Sequence, residues 1–332
     1  MAALGSGLPV LLDSHVHLSL HRSGGLANLW IASEPATFDR DWSCDDLAAA
    51  ARAAGCTLCG AVFVECSNDP PSAEAQWALG LCGGKSVFRS VVGQVPCHRG
   101  AAAVRAALAP LRRADGSLPL ELRAARYVFM MMDAETETAG ARVQQPVPAC
   151  LRAPFLQGLE ALHAEGLMWE FCCRPALAPA VAECCRRLPH VRFVIDHLAH
   201  NADTSARFGE GQAAREARMQ RERREWAAAM CELGALPNVV AAKCGAVEQW
   251  GAEGADAADM LDVAVQAFGF DRLLFESNWF VGDAMGRPYD EAAQLLLQAC
   301  LRARATPRDL RNVFHDNALR VYQISPAFCK HA

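Results

Sequence analysis

No stretch of this sequence reaches about 18 consecutive apolar residues, so it offers no candidate transmembrane helix. It also lacks a basic N-terminal region leading into a long apolar core, and a chain without a secretory signal peptide is expected. Charge of either sign is scarce in excess: Lys+Arg 32 against Asp+Glu 37 gives a formal net charge of −5. No basic stripe with interleaved aromatic residues breaks that balance, so neither nucleic acid nor an acidic membrane surface is expected as a partner. No GxGxxG follows the first apolar segment, which argues against dinucleotide binding. Internal repeats and linker-like breaks in composition are missing as well.

A disulfide framework is equally absent from the pattern of the 15 cysteines. They fall inside apolar runs (Cys56, Cys59, Cys66, Cys244) or in adjacent pairs (Cys172-Cys173, Cys184-Cys185), as small buried hydrophobes do. The odd total and the lack of a leader point to a reducing compartment and a cytoplasmic location. Cys56 and Cys59 have CxxC spacing, but without a second such pair zinc or redox use is the weaker reading.

What the chain does contain is a regular alternation. With 332 residues, 52% of them hydrophobic, a substantial core is available. Apolar strand-like runs fall at 8–12, 57–66, 87–95, 122–131, 167–172, 191–196, 238–243 and 272–276. Helical patterns lie between them, at 45–54, 72–81, 101–113, 154–165, 175–188, 210–233, 255–268 and 290–304. A last helix runs from Thr306 as N-cap to Tyr322. Eight strands alternating with helices predict a single (β/α)8 TIM barrel over residues 1–332, with a doubly wound open sheet as runner-up.

In such a barrel the active site forms at the C-terminal ends of the strands. The first strand ends in Asp13-Ser14-His15-Val16-His17. Strict alternation puts Asp13, His15 and His17 on one face, where two imidazoles can share a metal ion. Hydrogen-bonded surface histidines are the bland alternative. The other strand ends offer Glu65, Arg126, His197, Lys243, and Glu276 with Asn278. Lys243 and Arg126 either bind a substrate carboxylate or carbonyl, or form ion pairs across the mouth. Trp30 and Trp279 either wall a pocket or pack within loops. His21, His98 and His200 have no supporting context.

Six segments together carry a resemblance: LLDSHVHL, VFVECSNDPPSAEAQW, FVIDHLAHN, NVVAAKCGA, FGFDRLLFESNWFV and VFHDNALRVY. In this order, and over nearly the whole chain, the sequence resembles the amidohydrolase superfamily. It is most similar to the amidohydrolase-related branch, which includes sugar-lactone and dicarboxylate-lactone hydrolases. The resemblance implies hydrolysis of a C–O or C–N bond in a small, anionic or sugar-derived carbonyl compound. It also implies that His15, His17 and His197 line a metal or substrate site, zinc being the expected ion and metal-free chemistry the alternative. Where the family has an aspartate that ligates metal and acts as general base, this chain has Asn278. An amide cannot take up a proton near neutral pH. Glu276, one layer deeper, or Glu65 is then the expected proton carrier, alongside His197. Other classes left open are a barrel that only binds a metabolite or protein, and a non-oxidative decarboxylase. A small-molecule substrate is the expected partner, and a homo-oligomer stays open.

Overall fold

The computed structural model describes residues 8–28, 31, 35–83, 86–128, 148–199, 211–246 and 255–329. Trp30, His200 and most of the loops at 131–150 and 198–213 lie outside the described residues.

Eight parallel strands form one sheet in sequential order: β1 Leu11–Val16, β2 Leu58–Val64, β3 Phe88–Gln94, β4 Leu122–Arg126, β5 Met168–Phe171, β6 Phe193–Ile195, β7 Val239–Cys244 and β8 Leu273–Phe275. Strands covered on both faces need apolar side chains throughout, which is why they read as continuous hydrophobic runs rather than alternating ones. Helices fill the intervals: α1 Cys44–Ala53, α2 Pro71–Leu81, α3 Ala101–Leu108, α4 Ala153–Ala164, α5 Ala178–Arg187, α6 Gln212–Ala235, α7 Ala255–Phe268 and α8 Glu291–Arg302. This is the (β/α)8 barrel that the alternation predicts. Helix starts follow local chemistry. Ser43 caps α1 with Asp46 completing a reciprocal capping box, and Pro71 takes the first position of α2, where a missing N–H costs nothing.

The sheet closes in an unusual place. Beyond the regular β8 strand, Val16 forms an isolated parallel bridge with Trp279. The His17 N–H donates to the Trp279 carbonyl at 2.5 Å, and the Asn278 N–H donates to the His15 carbonyl at 3.1 Å. Lower down, the Ser14 hydroxyl donates to the Phe275 carbonyl at 2.7 Å. The seam of the barrel is therefore built from the residues that carry the candidate chemistry.

Side chains inside the barrel are sorted by height. Leu12, Val62, Val64, Val92, Ala124, Met168, Val194, Ala241 and Leu274 make an apolar inner cluster. Ala318, Val321, Tyr322 and Ile324, from the C-terminal helical segment, plug it from below. Small and branched residues fit because the lumen of an eight-stranded barrel holds side chains and little else. Above this floor the interior turns polar.

Strand β1 runs further than its apolar run suggests, through Val16, so His15 lies within it and His17 directly follows it. Asp13 pairs with Ala61 and Val16 with Phe63, so three steps on β1 match two on β2. One extra residue, a bulge, sits between them and breaks strict alternation. The expectation that Asp13 shares a face with His15 and His17 is corrected here. Asp13 turns away to accept from the Ser277 N–H at 3.0 Å and the Tyr289 hydroxyl at 2.8 Å. Burial pushes its carboxyl up to about 6, against the lowering effect of those bonds.

The loop after β1 is fastened where Ala27–Asn28 pairs antiparallel with Asn68–Asp69. Beneath that ladder, Glu74 of α2 accepts from the Cys66 N–H at 2.7 Å and the Asn68 amide at 2.5 Å. Burial, and then the charge of Glu65, push the Glu74 carboxyl up to about 8. An acid whose affinity for its proton rises on folding stabilises the fold only while protonated. Its contribution is complete below the unfolded value near 4.5 and is lost as pH climbs toward 8. The thermal stability of the wild type is expected to fall between about pH 5 and 8 relative to Glu74→Gln, which keeps the bonds and cannot ionise. A Tm difference between the two proteins that stays constant with pH would contradict this.

Candidate active site

The three strand-end histidines come together. His15 and His17 approach through their Nε2 atoms at 3.1 Å, and the rings of His15 and His197 lie 4.5 Å apart between centroids. All three are buried. Each is oriented through Nδ1: His17 donates to the Val64 carbonyl at 2.8 Å, and His197 lies 3.1 Å from Glu276 Oε1. His15 Nδ1 lies 3.2 Å from Glu276 Oε2. The two oxygens of one carboxylate thus lie beside two imidazoles, and the His197 main-chain N–H donates to Oε1 at 3.1 Å. The proton fixed on His17 Nδ1 leaves its Nε2 as a lone-pair donor or base, while His15 Nδ1 also lies 3.3 Å from Lys243 Nζ.

The electrostatics keep His15 and His17 neutral. Burial first, then the charges of Lys243 and Arg126, lower His15 well below the ordinary histidine value. Burial and Arg126 take His17 down to about 3, against the bond to Val64. Glu276 is raised by burial, with His197 and Lys243 opposing.

Under the histidines lies a fully buried ion network. Asp196, just beyond β6, receives Arg126 NH1 on Oδ2 at 3.1 Å and faces Lys243 Nζ from Oδ1 at 3.0 Å. Burial alone would raise the Asp196 carboxyl, but Lys243 and Arg126 outweigh it and pull it down to about 2. Lys243 also donates to Glu170 Oε2 at 2.5 Å, and the Tyr322 hydroxyl donates to Glu170 Oε1 at 2.6 Å. Burial raises Glu170 to about 8 despite Lys243. Arg126 Nε donates to Glu65 Oε1 at 2.8 Å, while NH1 lies 3.2 Å from His15 Nε2. The second oxygen of Glu65 accepts from the Ser67 N–H at 2.8 Å.

The strand-end candidates therefore differ in what they touch. Arg126 and Lys243 are both engaged in ion pairs across the mouth. Glu65 has both oxygens committed, to a guanidinium and a loop amide. Trp279 packs edge-on against Trp42, with ring centroids 5.7 Å apart. The aromatic ring beside His17 is instead Phe280, at 6.3 Å. Asp196, Glu170 and Tyr322 were not anticipated from the sequence. A lone charge inside the apolar MWEF strand was the available sign for Glu170. Nothing local marks Tyr322, which reaches the network from the far end of the chain.

Backbone strain gathers at the same place. His197, Leu198 and Ala199 have φ of 50°, 53° and 52°, and Asn278 has 52°. Leucine and alanine adopt the left-handed region least readily among them. Such geometry persists when its surroundings over-determine it. Here the Trp226 indole donates to the Leu198 carbonyl at 2.6 Å, and Glu276 binds the His197 N–H. Gly245 makes room for Glu276, because a Cβ there would fall 1.9 Å from its carbonyl oxygen and 2.8 Å from its Cγ.

Among the described residues, His15, His197 and Glu276 present candidate ligand atoms within 4.8 Å of one another, so a His/Glu site is present. His17 adds a further imidazole against His15. Two lone pairs facing each other at 3.1 Å are satisfied by a proton or a cation. Nitrogens bound at ~2.0–2.1 Å to one tetrahedral ion lie at roughly this separation, so the donors fit a divalent metal.

A model of the amidohydrolase family matches residues 13–324 of the chain. An L-fucono-1,5-lactonase of Burkholderia ambifaria is 31% identical over 188 residues, covering 54% of this chain and 58% of that protein. A crystal structure of an amidohydrolase from Burkholderia multivorans with bound zinc superposes with a TM-score of 0.70 at 23% identity, over 96% of this chain and 100% of that one. Amidohydrolase 2 from Bifidobacterium longum subsp. infantis gives 0.64 at 21% identity, over 95% and 99%.

Removing one member of the buried network strands the others. Lys243→Met is expected to destabilise the fold by about 3–5 kcal/mol, because Glu170 and Asp196 lose their shared cation. Combining it with Glu170→Leu is expected to recover part of that loss. Urea unfolding of the two variants checks this. An unchanged midpoint for Lys243→Met would show that the pair is not structural.

Proposed function

We propose that this chain, which belongs to the amidohydrolase family, opens the ring of a small, uncharged, sugar-derived lactone by hydrolysis. The observation that carries the reading is the set of three buried imidazoles, His15 and His17 among them kept neutral, gathered beside the buried guanidinium of Arg126. Arg126 and Lys243 each spend their charge on two carboxylates, which disfavours a substrate that brings a carboxylate of its own. The lactonase relative is consistent with a hydroxylated substrate.

The assignments follow from the contacts. His15 and His17 would hold a divalent ion through Nε2; when bound, it would polarise the carbonyl and lower the pKa of water. His197 takes the proton from the attacking water. Glu276 fixes its Nδ1–H, as a carboxylate orients the base in a hydrolytic triad, and the neighbouring cations make His15 the poorer acceptor. The water oxygen bonds to the carbonyl carbon, the ring C–O bond breaks, and the proton passes from His197 to the departing ring oxygen. The product is an open-chain hydroxy acid. Arg126, 3.2 Å from His15 Nε2, stands where charge developing on the carbonyl oxygen is stabilised. Asn278 anchors the seam through its N–H and has no basicity to contribute. Glu276 works through the two histidines rather than on the water.

His197→Gln is expected to lower kcat about 10²–10⁴-fold on an aldono-1,5-lactone, with a smaller change in KM. A pH-indicator assay of acid release measures it, and a variant with wild-type kcat would remove His197 from the chemistry. Metal analysis of the purified protein is expected to find a divalent ion that His15→Ala or His17→Ala loses. Retention of the ion by both variants would place it elsewhere.

A further inference from the structure

Gln94 ends β3 at the barrel mouth, is only 9% exposed, and makes no side-chain hydrogen bond to any described residue. Its amide atoms are not enclosed, so they remain available to a ligand. Its neighbour Arg126 is by contrast engaged with Glu65 and Asp196.

The direction of Gln94 follows from the register. Val92, two residues earlier, belongs to the inner cluster. A side chain at Gly93 would meet Leu122 and Ala75 on the outer side. Gln94 is paired with Arg126, and registered residues of parallel neighbours share a face. The guanidinium of Arg126 reaches His15 and Asp196 inside the barrel, so Gln94 points inward beside it.

We infer that Gln94 is a substrate-binding residue whose amide hydrogen-bonds a ring hydroxyl of the lactone, an inference that rests on the hydrolase reading above. An amide offers an acceptor oxygen and two donor protons. A hydroxyl both donates and accepts and can use either end, whereas a carboxylate can only accept. Gln94 therefore selects for hydroxylated rings over bare ones. A site built to hydrogen-bond a hydroxyl discriminates against a substrate that lacks it.

The test compares glucono-1,5-lactone with unsubstituted δ-valerolactone. Gln94→Leu is expected to raise KM for the hydroxylated lactone by about tenfold or more while kcat changes little. The bare lactone is expected to be unaffected. Gln94 also borders a cavity of about 430 Å³ between α2, α3 and the outer side of the wall. Ala107→Phe, which fills that cavity, is expected to leave both substrates unchanged. Equal losses on the two lactones, or no loss on either, would overturn the inference, as would a KM effect from Ala107→Phe in place of Gln94→Leu. Binding of 1,5-anhydroglucitol, which keeps the ring hydroxyls and lacks the carbonyl, separates recognition from chemistry. If the wild type hydrolyses neither lactone but binds this polyol about tenfold more tightly than Gln94→Leu does, the hydrolase reading fails and the role of Gln94 stands. Equal affinities, or no binding by the wild type, would overturn that role too.

Discussion

The bond pattern around Asp196 is the constraint on which the upper half of the barrel depends. A carboxylate, an ammonium and a guanidinium with no access to water are tolerable only when they satisfy one another. Asp196 meets Arg126 on one oxygen and Lys243 on the other. Those cations in turn fix Glu65 and Glu170, and they stand against the two nitrogens of His15. Strands β4, β5 and β7, with the turns after β2 and β6, are thereby tied to the first strand by charge as well as by the sheet. The network also sets the chemistry, because burial together with Lys243 and Arg126 lowers His15, and burial together with Arg126 lowers His17.

A second level of organisation concerns Glu276. It bridges two imidazoles and supports a left-handed turn, which requires glycine at 245 and a helix tryptophan, Trp226, to hold the turn from outside. Asn278, two residues further on, closes the barrel with its backbone. An amide at that position supplies no base, while its main chain completes the seam. The carboxylate that organises the histidines comes from one layer below.

The histidine pair and the strand sequence were legible because periodicity and spacing are local properties. The apolar runs marked all eight strands to within a few residues, and the six matching segments pointed to the family. Faces were less legible. Alternation put Asp13 with the histidines, and the β1 bulge reversed it. A bulge is set by the pairing partner, β2, and has no signature within five residues of β1. Arg126 and Lys243 were recognisable as residues of the mouth, but their partners were not, since Glu170 and Tyr322 lie 73 and 79 positions from Lys243 in opposite directions.

The sequence by itself determined the alternation of strands and helices, the absence of a long membrane-spanning run, and three histidines at two strand ends. These follow from side-chain hydrophobicity and short-range order. Only the tertiary structure decided which ring nitrogens are free, which charges are already paired, and which polar group is left without a partner. Those properties belong to distances between residues far apart in the chain, and burial gives the distances their energetic weight by removing the water that would otherwise make them indifferent.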